Sequence, residues 1–144
     1  GYLSPERYAT VIVSDVAALP GGLQRNLESY VRQGGSVLFA MGPAAGTRNR
    51  VPLFDEPVLE SRYASRAGER FQMATETEVA HPAVGRANRW EGVKFYHTVR
   101  IEPGSATVFA RLADGTPLLM EKSLGQGRVL VFASTLNWWA AVHN

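Results

Sequence analysis

Between Tyr8 and Met41 the apolar pattern changes period twice, and this alternation restricts the fold more than any other feature of the chain. Ala9 to Ser14 is a β-branched run with the character of a strand. Leu23, Leu27, Tyr30 and Val31 then recur at helical spacing, and Ser36 to Met41 returns to extended structure. Strand, helix and strand in that order make a βαβ unit, the seed of a parallel sheet. Pro20, Gly21 and Gly22 break the chain ahead of the helix, and Gly34 can supply the left-handed residue that ends it. The four-residue stripe is expected to cover one face of the sheet, each large side chain contributing about 1.5–3 kcal/mol of transfer free energy. Gly34 and Gly35 follow the helix, whereas phosphate-binding glycines precede one, so they read as a stop.

After Val93 strands succeed one another. Lys94 to Ile101 and Ala106 to Leu112 each read as a strand, and Asp114 with Gly115 marks a hairpin turn into Pro117 to Glu121. A second turn at Gly125 to Gly127 leads into Arg128 to Ser134, whose continuous apolar centre fits a strand buried on both faces. The segment from Thr47 to Trp90 has poor periodicity, with a turn expected at His81 and Pro82 and some helix between Pro52 and Ala67.

With 144 residues and 45% apolar content, the chain is one domain able to bury a core without cross-links. It contains no cysteine, which excludes disulfides, thiolate metal sites and a cysteine nucleophile. A formal net charge of +2 is a weak field, and the arginines between Arg48 and Arg100 are interleaved with seven carboxylates. That pattern is a solvated, ion-paired surface, since nucleic-acid binding needs an unopposed cation cluster. No run reaches the ~20 apolar residues of a membrane-spanning helix. The sequence opens at Gly1 and stops at Asn144 without capping or turn logic, so residues 1–144 read as a single domain excised from a longer polypeptide.

Tyr8 to Asp15, the helix ending at Tyr30 to Gly35, Ser36 to Phe39, Pro117 to Glu121 and Gly125 to Phe132 together resemble class I glutamine amidotransferase-like domains. The resemblance is strongest to those embedded in bacterial membrane proteins that carry a von Willebrand A domain. It implies a flavodoxin-like three-layer α/β fold with a mainly parallel central sheet and extra antiparallel strands in the C-terminal half. It also implies a module on the extracytoplasmic side of an anchored protein, touching the membrane only through segments outside this chain. Catalytic members carry a Cys after the strand matched by Val37 to Ala40 and a His followed by an acid after a late strand. Here those places hold Met41 and the stretch Ser134 to Asn137. A thioether cannot be deprotonated, and no imidazole stands ready to activate another group, so glutamine hydrolysis is not expected.

Open α/β sheets place ligands beyond the carboxyl ends of their strands. Asp15, Met41, Gly42, Ser134, Thr135 and Asn137 are therefore the candidate ligand-binding residues, with His97 a possible acid–base companion. The competing reading is local: an Asp after a strand commonly bonds turn backbone, and hydroxyls at a strand end satisfy main-chain groups. His81, His97 and His143 are dispersed and lack ligand spacing, so neither a metal nor a cofactor is expected. Trp138 and Trp139 are candidates for facing a partner, either a protein or another domain of the same polypeptide, with docking against this domain's own edge as the alternative. The expected function is a non-catalytic interaction or structural module; the alternative is a domain that binds a small ligand or sugar, with or without hydrolysing it, in the strand-end cleft.

Overall fold

The computed structural model describes residues 10–63, 74–77, 95 and 97–135. Strand β1 (Thr10–Ser14), helix α1 (Gly21–Arg32) and strand β2 (Ser36–Ala40) form the expected βαβ unit, with β1 and β2 parallel and in register from Thr10 opposite Ser36 to Ser14 opposite Ala40. A 3-10 turn, η1 (Ala45–Thr47), follows β2. Then come β3 (Val58–Tyr63), β4 (Ala74–Thr77), β5 (His97–Ile101), β6 (Thr107–Leu112), β7 (Pro117–Leu124) and β8 (Gly127–Phe132).

The fold is mixed α/β. Among the described residues one six-stranded sheet has the order β1-β2-β8-β7-β6-β4, and β3 pairs with β5 in a separate antiparallel ribbon. The expectation of a mainly parallel sheet needs correction. Among the described residues β1–β2 and β2–β8 are parallel, whereas β8–β7, β7–β6 and β6–β4 are antiparallel. For β6, β7 and β8 the cause is connection length: tight turns join them and permit only antiparallel pairing. Gly115 (φ 87°) and Gly125 (φ 59°) occupy those turns, and Asp114 accepts the Thr116 N–H at 2.9 Å. β8 lies between β2 and β7 and is buried on both faces, as its unbroken apolar run predicts.

Helix α1 covers one face. Leu27, Tyr30 and Val31 pack with Val37, Phe39, Val129 and Val131. Leu23, expected in that stripe, is 41% exposed. It sits in the first helical turn, and Leu19 from the approach to the helix packs on the core instead. The helix approaches β8 closely enough that a Cβ on Gly127 would overlap the backbone oxygens of Val31 and Gly35. Gly34 adopts φ 115°, which accounts for the helix stop. The opposite face carries a second cluster that includes Leu38, Phe95, Leu118, Leu130 and Phe132.

No helix forms between Pro52 and Tyr63. Leu53 (φ 65°) and Asp55 (φ 57°) are left-handed, so 51–56 is a compact turn and the chain continues into β3. Lys122 holds that turn, donating to the Phe54 carbonyl at 3.0 Å, pairing with Glu56 and lying over the Phe54 ring. The expected turn at His81 and Pro82 lies outside the described residues.

Candidate functional site

The parallel strands β1, β2 and β8 end side by side, and backbone conformation decides what their terminal residues do. Asp15 closes β1 in a left-handed conformation, φ 39°, which Asp tolerates better than most residues. Its N–H donates to the Ala40 carbonyl at 2.8 Å. Its side chain turns toward the end of β2, where Oδ1 accepts the N–H groups of Gly42 and Ala45, each at 2.9 Å. One carboxylate oxygen thus satisfies two main-chain donors at the entry to η1.

Gly42 is required by this arrangement. A Cβ there would stand 2.6 Å from the Asp15 carboxyl carbon and 2.6 Å from the Thr135 methyl group, so Asp15, Gly42 and Thr135 meet around one point. Met41 does not join them as a polar group. It is 2% exposed, its side chain belongs to the α1-side core, and its N–H donates to the Phe132 carbonyl at 2.9 Å.

The ribbon of β3 and β5 is tied to the residues after β8. Val99 N–H donates to the Ala133 carbonyl at 2.9 Å, and the buried Ser134 hydroxyl donates to the His97 carbonyl at 2.7 Å. Ser134 therefore joins two elements through main chain. Its neighbour His97 is 9% exposed, and its Nε2 lies 2.8 Å from the Ser61 hydroxyl. Burial pushes the His97 pKa below 6.5, and the Asp15 carboxylate opposes that shift by its charge. The ring is accordingly neutral at pH 7; with the Nδ1–H tautomer, Nε2 accepts the Ser61 proton.

Asp15, Gly42, Ser134 and Thr135 thus lie at one end of the fold, as strand order suggests, and His97 from β5 lies beside them. Asn137, Trp138, Trp139, His81 and His143 lie outside the described residues. Ser61 escaped sequence reasoning because it sits in the aperiodic segment, 36 residues from His97, with no local motif to mark it. Gly46 had no local signal either: it packs against Ser61 and Val99, and a Cβ there would lie 2.7 Å from Ser61 Oγ. Among the described residues no group of three or more His, Asp or Glu side chains is placed to hold a metal ion, and no helix is long and apolar enough to cross a membrane.

No family model and no curated protein matches the chain. Solved structures do. A cytoplasmic protein from Salmonella typhimurium is similar at TM-score 0.67 and 18% identity over 94% of this chain and 65% of its own. An exo-β-1,4-mannosidase from an Opitutaceae bacterium is similar at TM-score 0.63 and 22% identity over 97% of this chain and 24% of its own. A family 42 β-galactosidase from G. stearothermophilus is similar at TM-score 0.64 and 14% identity over 88% of this chain and 19% of its own. At these identities the likeness is one of fold. The chain spans about two-thirds of the length of the first and a quarter or less of the two glycosidases.

Proposed function

We propose that the chain is a non-catalytic glutamine amidotransferase-like domain, with a flavodoxin-like three-layer arrangement, that serves as a structural or interaction module of a larger protein. The observation that carries this reading is the pair of hydrogen bonds that the Gly42 and Ala45 N–H groups donate to Asp15 Oδ1. The strand-end carboxylate closes a turn where a ligand-binding group would be kept available. Met41 in the core and Ser134 bonded to main chain point the same way. Buried clusters on both faces of the sheet favour a third layer opposite α1. Similarity to a minor part of two much longer enzymes favours a module role. The anchored, extracytoplasmic arrangement implied by the sequence resemblance belongs to the same proposal, and membrane-length apolar segments with a von Willebrand A domain in the flanking sequence would support it. The activity test is glutamine hydrolysis: no glutamate release above a buffer control is expected. Release that disappears in Asp15→Ala or Thr135→Ala would overturn the reading.

The Ser61–His97 pair favours a second, hydrolytic reading, because a neutral imidazole within hydrogen-bond distance of an exposed serine is the arrangement of a base and its nucleophile. Covalent labelling by a fluorophosphonate probe, lost in Ser61→Ala, would support it; an unlabelled Ser61 would remove it.

A further inference from the structure

At the end of the sheet remote from Asp15, on the face opposite α1, lies an open cleft of about 380 Å³. Its lining includes Thr107, Phe109, Glu121, Lys122, Ser123 and Arg128. Register explains the convergence. Thr107 stands opposite Glu121, and Ser123 opposite Arg128, so three adjacent strands present these four side chains to one face, whereas the Lys122 side chain, opposite Val129, runs to Phe54 on the α1 side. We propose that this cleft binds a neutral polyhydroxylated ligand, a saccharide unit.

Three properties of the lining select that chemistry. First, its charges are balanced. Glu121, 7% exposed, is paired with Arg128, and Lys122 is engaged by Glu56 and the Phe54 carbonyl. A phosphate or sulfate would need a cation not already opposed, which this lining does not offer. Second, the polar groups suit hydroxyls. Thr107 and Ser123 each donate and accept, and the Arg128 side chain, 60% exposed, has five N–H donors, of which one on Nη1 serves Glu121. Third, Phe109 supplies an apolar surface at the edge of the second core cluster, against which the C–H face of a sugar ring can lie. The volume falls in the range of small-molecule sites, which combine an apolar wall with a few convergent polar groups. The inference goes beyond the module reading and does not use the strand-end turn.

The test is a ¹⁵N–¹H correlation titration of the chain with methyl glycosides of glucose, mannose and galactose, and with sodium phosphate and galacturonate as charged probes. At least one neutral glycoside is expected to shift the amides of Thr107, Phe109, Ser123 and Arg128 saturably, with a Kd of about a millimolar. Glu121→Gln is expected to weaken binding about fivefold or more. Ser123→Trp, at an exposed strand position, is expected to abolish the shifts while the rest of the spectrum remains dispersed, which separates a blocked cleft from a lost fold. Three results would each overturn the proposal: no saturable shift with any neutral glycoside, shifts indifferent to Ser123→Trp, or saturation by phosphate or galacturonate alone. Glutamine hydrolysis has no bearing on any of them, so this proposal and the module reading fail separately.

Discussion

Replacing Asp15 by Ala should destabilise the domain by about 4–5 kcal/mol. The two hydrogen bonds to Oδ1 are charge-assisted and partly buried, and bonds of that kind contribute about 1.5–3 kcal/mol each, the lower end applying where water retains some access. Ala must also adopt φ 39°, a left-handed conformation that costs a residue without a bonding side chain about 1–2 kcal/mol. Urea unfolding followed by tryptophan fluorescence reads the loss: with a slope of about 2 kcal/mol per molar, the midpoint should fall by about 2–2.5 M. Asp15→Asn retains an oxygen acceptor and tolerance of left-handed backbone, so its loss should be about 1 kcal/mol. Asp15→Gly relieves the backbone cost but not the missing bonds, and should fall between the two. An Ala variant within about 0.5 kcal/mol of the parent, or an Asn variant as damaged as Ala, would refute the fastening role.

Gly127→Ala should cost about 3 kcal/mol or prevent folding, because its Cβ meets backbone oxygens of α1 and of the turn before β2; thermal unfolding measures it. Lys122→Met should cost about 2–3 kcal/mol, below the 3–5 of a fully buried pair because Lys122 and Glu56 side chains retain 17% and 18% exposure. Adding Glu56→Leu should restore part of that loss, and a double-mutant cycle by urea unfolding tests the coupling. His97, with its pKa held below 6.5, favours the neutral ring in the folded state. Its contribution is therefore complete above pH 6.5, declines as pH falls through the folded value, and is lost below it. Comparing chemical stability from about pH 7.5 to pH 5 in the parent and His97→Gln should show the weaker decline in the variant.

The sequence revealed this fold where a residue's role is set by its near neighbours. The period change from Ala9 to Met41, the glycines after α1 and the turns at Asp114–Gly115 and Gly125 all mark structure made within a few residues. Leu23 departs from the expected stripe because periodicity names the apolar side of a helix without saying where the layer beneath it ends. The compact turn at Leu53 and Asp55 was hidden because non-glycine residues there adopt left-handed backbone, held by Lys122 from a distant strand. At the site, strand order was enough to gather Asp15, Gly42, Ser134 and Thr135. The Ser61–His97 contact was not legible, since the β3–β5 ribbon that creates it pairs segments of unrelated pattern.

Hydrogen exchange at the Gly42 and Ala45 amides tests most directly whether the strand-end carboxylate closes this turn rather than meeting a ligand. Both amides are predicted to be protected in the parent protein, to lose that protection together in Asp15→Ala by more than the β2 and β8 amides lose through the lowered global stability, and to remain unchanged when glutamine is added. Rapid exchange in the parent, or protection that survives Asp15→Ala and responds to glutamine, would contradict the account.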